Sequence, residues 1–183
     1  MKYFSLNNRT HSSSFENAVI RGLAPDKGLY FPEHIEKLPD SFFAALPNMS
    51  QTEVAYHAIK QFVGDEIPEK DLKEIIATTL DFEFPVVHVK DNVYTLELFH
   101  GPTLAFKDVG ARFMAGSLGY FITKNEVGKV TVLVATSGDT GGAVANGFLG
   151  VEGIDVVILY PKGKVSKIQE KQLTTLGENV TAL

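Results

Sequence analysis

The sequence of 183 residues contains no cysteine, which excludes disulfides, thiolate zinc sites and cysteine nucleophiles. It has no block of basic residues, and its formal net charge of -5 argues against a nucleic-acid or anionic-membrane surface. No apolar run approaches the length needed to span a bilayer, and the opening MKYFSLNNRTHSSSFENA lacks the apolar core of a signal peptide, so the expected location is the cytosol. The histidines stand at 11, 34, 57, 88 and 100 with no HxxxH or HxH pairing, a pattern that does not favour a histidine metal centre. Internal repeats and low-complexity segments are also missing. What remains is 44% apolar residues, enough for a sizeable core.

Two textures divide that material. Residues 1 to 85 read as a small, mainly helical amino-terminal domain. Serines precede the amphipathic FENAVIRGL, APDKG is a turn, and LYFP is a short strand. Ser50 and Glu53 form a capping box for a helix reaching about Phe62. Another helix starts on Pro68, with Leu72, Ile75, Ile76 and Leu80 on one face. From residue 86 to 183 strands alternate with helices. FPVVHV, YTLELF, VTVLVA and DVVILYP read as strands, and 107 to 124, 140 to 149 and 166 to 176 as helices. That order predicts an α/β domain with a mostly parallel, doubly wound sheet covered on both faces, and GENVTAL reads as the opening of a further strand in a sheet that is cut short.

Two stretches carry chemistry. In LELFHGPTLAFKDVGARFM, Lys107 follows the apolar Leu104, Ala105 and Phe106 and opens a helix whose stripes are Val109 with Phe113, and Met114 with Leu118 and Ile122. A lysine at the positive end of a helix, beside apolar residues, has its ammonium disfavoured and can serve as a nucleophile for a carbonyl carbon; the ordinary alternative is a snorkelling side chain. After VTVLVA comes TSGDTGGAVANGF, at the strand's carboxyl end where parallel sheets bind ligands. Its glycines, the hydroxyls of Thr136, Ser137 and Thr140, and a helix start suit an anion, although it is neither a Walker loop nor a full GxGxxG. Arg112, Lys162 and Lys164 are candidates to meet a phosphate, weighed against plain solvated charge.

Together GPTLAFKDVGARFMA and ATSGDTGGAVANGF resemble the threonine synthase family, in its shorter microbial and fungal type, among the fold-type-II enzymes that use pyridoxal 5'-phosphate (PLP). The opening YFSLNN, the stretch GLAPDKGLYFPE and the ending LYPKGKVSKIQEKQLTTLG extend the likeness over the whole chain. The resemblance implies that Lys107 holds the cofactor and moves protons, with Phe106 and Asp139 also at the cofactor. It implies that Thr136, Ser137, Gly138, Thr140 and Gly141 bind the substrate. The reaction implied is conversion of O-phospho-L-homoserine and water to L-threonine and phosphate. Its partner is a small molecule, with no nucleic acid or membrane involved. The cofactor-phosphate loop of the family is expected outside this chain, which alone is expected to be inactive. Two alternatives are a related PLP-dependent phospho-lyase or dehydratase and a non-catalytic anion-binding module, the latter disfavoured by Lys107. Asp139 stands where many fold-type-II relatives have asparagine; it is expected either to place a charge near the cofactor or only to cap the helix beginning near Thr140.

Overall fold

A computed structural model describes residues 1–183. The chain divides into two compact units, Met1–Thr78 and Thr79–Leu183.

The first unit combines a small antiparallel sheet with helices. Strand β1 (Tyr3–Ser5) lies between β2 (Ser12–Ser13) and β3 (Tyr30–Pro32). Helix α1 (Phe15–Arg21) starts on Ser14, whose hydroxyl accepts from the Asn17 N–H, and the Glu66 carboxylate accepts from the N–H groups of Phe15 and Glu16. Helix α2 (Asp40–Ala45) runs into a short 3-10 turn, and α3 (Gln51–Val63) opens with the expected capping box between Ser50 and Glu53. Helix α4 (Glu69–Thr79) buries Leu72 and Ile76 of the stripe read from the sequence. They join Val19, Phe42, Tyr56, Val63 and Ile67 in the core of this unit. Tyr3 donates its hydroxyl proton to the Phe62 carbonyl at 2.7 Å, and burial with the nearby Glu66 charge pushes its phenol up to about 12.

The second unit begins with β4 (Val86–Lys90) and β5 (Val93–Leu96). These were expected in the alternating parallel series, but they pair antiparallel with each other as a hairpin. The turn explains the difference: Asp91 takes the left-handed φ of 51° that a tight Asp-Asn turn admits, so the chain reverses where a crossover was expected. Parallel pairing begins with β6 (Val130–Ala135), β7 (Ile154–Leu159) and β8 (Val180–Ala182), in the order β6-β7-β8. The connections hold α6 (Asp139–Gly147) and α7 (Lys167–Thr174), and α5 (Lys107–Asn125) precedes the sheet. This is the α/β class read from the sequence.

One face of the sheet carries the burial. Ile154, Val156, Ile158 and Val180 are buried together with Leu118, Phe121 and Ile122 of α5, Ala143 and Ala145 of α6, and Leu173 of α7. The opposite face, marked by Leu133 at 66% exposed, is open over these three strands, so covering on both faces does not extend to them. Asn179 ties the edge of this layer together, donating to the carbonyls of Phe148 and Ile154 and accepting from the Gly150 N–H. No helix is long and apolar enough to cross a membrane.

Candidate functional site

Lys107 is the first residue of α5, as the sequence placed it. The residue before it, Phe106, has helical backbone angles and gives the helix no side-chain cap. Lys107 is half-buried, and its Nζ sits 4.3 Å from the centre of the Phe106 ring, a cation-π contact worth about 0.5–1 kcal/mol at so open a position. The stripes assigned to α5 shift by part of a turn. Ala111, Ala115, Leu118 and Ile122 are buried, whereas Val109 and Met114 line an apolar hollow of about 560 Å³. Lys107 and Phe106 line the same hollow, and so does Thr140 from the start of α6. Two motifs more than thirty residues apart in the chain thus meet at one cavity.

The second motif is built around Thr136. Its hydroxyl oxygen accepts from the N–H groups of Gly138 at 3.2 Å and Gly141 at 3.0 Å, folding the loop back on itself. Gly141 is required for that approach, because a Cβ there would fall 2.2 Å from the Thr136 methyl group. Thr136, expected among the substrate contacts, therefore spends its oxygen inside the loop. The hydroxyls of Ser137 and Thr140, and the N–H groups of Ser137, Asp139 and Thr140, make no hydrogen bond within the chain. They are the donors left for an anion at the first turn of α6.

Asp139 is not the cap of this helix. The cap position falls on Gly138, and Asp139 is the first helical residue, with Oδ1 accepting from Gln169 Nε2 at 2.9 Å. Gln169 was missed by the reading of the sequence. Its signal was the Ser166-x-x-Gln169 capping box, in which Gln169 Oε1 accepts from the Ser166 N–H and leaves Nε2 free to reach α6. Asp108 was missed as well: it is 1% exposed and binds the loop before Lys107. Arg112 is engaged elsewhere, in a two-pronged pair with Asp81 at 2.6 and 2.8 Å that holds the Asp81 carboxyl below its usual range. A free guanidinium for a phosphate is thereby lost.

A family model described as the threonine synthase N terminus matches residues 2–80. The threonine synthase of Haemophilus influenzae is 44% identical over 98% of this chain and 41% of its own length. That of Schizosaccharomyces pombe is 36% identical over 97% of this chain and 37% of its own. Over nearly its whole length the chain is similar to threonine synthases. Among solved structures, threonine synthase from Escherichia coli matches at a TM-score of 0.90 with 42% identity, over all of this chain and 42% of that one. A PLP-bound threonine synthase from Brucella melitensis matches at 0.92 with 38% identity, again over all of this chain and 40% of that one. The chain spans about two fifths of the length of these threonine synthases and corresponds to their amino-terminal portion.

Proposed function

We propose that this chain supplies the lysine-bearing part of a fold-type-II, PLP-dependent threonine synthase, which converts O-phospho-L-homoserine and water to L-threonine and phosphate as the last step of threonine biosynthesis in the cytoplasm. The observation that carries the reading is the meeting of Lys107 and Thr140 at one apolar hollow. Its partner on this reading is a small amino acid rather than nucleic acid or membrane, in keeping with the net charge of -5.

The residues present fit the cofactor. A flat aromatic aldehyde needs an amine to hold it and apolar walls beside its ring; the Lys107 Nζ, the Phe106 ring and the side chains of Val109 and Met114 provide both. Asp139 would stand beside it, with its carboxylate steadied by Gln169. The substrate's carboxylate would be received by the unpaired N–H groups and hydroxyls of Ser137 and Thr140, on backbone shaped by Gly138, Gly141 and Thr136. When bound, PLP draws electrons away from the substrate's α-carbon. Lys107 would hold the cofactor through its Nζ, and the same nitrogen would take the proton from the substrate's Cα and return one later. For the conversion to balance, a second proton would leave Cβ as phosphate departs from Cγ, protons would return to Cγ and Cα, and water would give its hydroxyl to Cβ and its remaining proton to the released phosphate.

The test is product analysis with the full-length protein and PLP. Equal amounts of threonine and phosphate from O-phospho-L-homoserine support the reading, whereas a keto acid in place of threonine would assign the site to a lyase or dehydratase instead.

A further inference from the structure

We infer that Asp108 is a positioning residue for Lys107, holding the loop 101–106 so that the lysine stands at the mouth of the hollow. The inference rests on the reading of Lys107 given above. Asp108 is the second residue of α5 and is 1% exposed, yet its carboxylate faces back along the chain instead of toward solvent. Oδ2 accepts from the Thr103 N–H at 2.9 Å, and Oδ1 accepts from the Thr103 hydroxyl at 2.5 Å. Its own N–H donates to the Ala105 carbonyl at 3.0 Å, so a single residue is bound to two points of the loop. Gly101 closes the third side. A Cβ at that position would fall 2.6 Å from Asp108 Oδ2 and 2.9 Å from the Phe82 ring.

The loop held in this way is not relaxed. Leu104 has a φ of 58°, in the left-handed region that non-glycine residues enter only when their surroundings impose it, and its side chain is 74% exposed and supplies no packing to do so. The restraint therefore comes from the polar contacts at its base. A buried carboxylate held by neutral donors is costly to keep without them, which couples the loop to the carboxylate in both directions. Lys107 lies in the chain between the strained loop and this anchor, so loss of the contacts to Thr103 releases the backbone on both sides of the lysine. Displacement by about 1 Å at a reacting group is enough to cost about 100-fold in rate.

The experiment uses the full-length protein and three variants. Asp108→Ala removes both acceptors, Thr103→Val removes the hydroxyl donor alone, and Asp108→Asn keeps a hydrogen-bonding side chain of the same shape, since the Thr103 hydroxyl can accept from the amide as readily as it donates. Each is compared with the buried-sheet variant Ile158→Ala, matched for loss of melting temperature, so that lowered stability alone is accounted for. The rate at which PLP and borohydride fix label on Lys107 is followed by peptide mass spectrometry, alongside kcat and KM. Asp108→Ala is expected to lower both the labelling rate and kcat by about 100-fold with KM within about twofold. Thr103→Val should fall between it and the parent, and Asp108→Asn should recover most of the loss. Should Asp108→Ala fail to fold, Thr103→Val and Asp108→Asn carry the same comparison. Labelling of Lys107 at the parent rate in Asp108→Ala or Thr103→Val, or loss no greater than in Ile158→Ala, overturns the positioning role. An Asp108→Asn variant as slow as Asp108→Ala does so too. Absence of label on Lys107 in the parent would instead overturn the functional reading.

Discussion

Asp139 separates two effects that its identity alone does not. As the first residue of α6 its charge favours the helix start, and its Oδ1 takes the Gln169 Nε2 proton, but neither contact is an N-cap hydrogen bond. Asparagine can present the same oxygen to Gln169. Asp139→Asn should therefore change stability by no more than about 0.5 kcal/mol, the usual range for an exposed position. Under the proposed role beside the cofactor, the same substitution removes a negative charge and should lower the pH at which the bound cofactor's visible absorption titrates, with kcat/KM reduced. A spectral titration of the variant that overlays the parent would assign Asp139 to the Gln169 contact alone. At this scale the sequence conveyed where a side chain sits in its element more readily than what that side chain holds. Lys107 and Thr140 lie in the first turns of α5 and α6, as their motifs placed them, whereas Thr136 is turned inward by two N–H groups of its own loop, a choice that depends on backbone angles no motif records.

Among the elements, those set by local chemistry were legible and those set by distant pairing were not. The strand Val130–Ala135 coincides with the apolar run VTVLVA, and α3 and α7 begin on their Ser-x-x-Glu and Ser-x-x-Gln boxes. β1 and β2, three and two residues long, are too short to show a period and exist through pairing with each other and with β3. The β4–β5 hairpin was misread as parallel for a related reason, since pairing direction is fixed by the turn and not by the apolar content of the strands. The turn joining α1 to β3 yields a prediction. The Ser5 hydroxyl donates to Asp26 Oδ1 at 2.6 Å, the Gly28 N–H donates to the same oxygen, and His11 lies 3.3 Å from Oδ2. Led by the Ser5 hydrogen bond, these hold the Asp26 carboxyl below its usual range. A carboxyl depressed in the folded state stabilises it above the ordinary carboxylate range, near pH 4, and that contribution is lost as pH falls through the folded value. Ser5→Ala should thus be less stable than the parent at pH 7, with the difference shrinking in denaturation curves as the pH is lowered below about 4. A difference that stays constant down to pH 2 would show that Asp26 is not the group involved.

At the scale of the whole molecule, stability in the second unit rests on one buried layer. Phe121 is fully buried there, and Phe121→Ala should cost about 3–5 kcal/mol in urea denaturation, the range for emptying an aromatic core site. A loss under about 1 kcal/mol would mean the layer is not the core described. The chain covers about two fifths of its relatives, and the phosphate of PLP needs charge-assisted donors worth about 1.5–3 kcal/mol each. Residues 1–183 expressed alone should consequently bind PLP far more weakly than the full-length protein, as read by equilibrium dialysis; equal affinity would place the whole cofactor site within this chain. On the proposed function, Lys107 and no other lysine holds the cofactor, in a hollow that Thr140 of the second motif also lines. Borohydride treatment of the PLP-loaded full-length protein, followed by peptide mapping, tests it most directly. A pyridoxyl group is expected on Lys107 and is expected to be lost in Lys107→Ala; a label mapping to any other lysine would contradict the assignment.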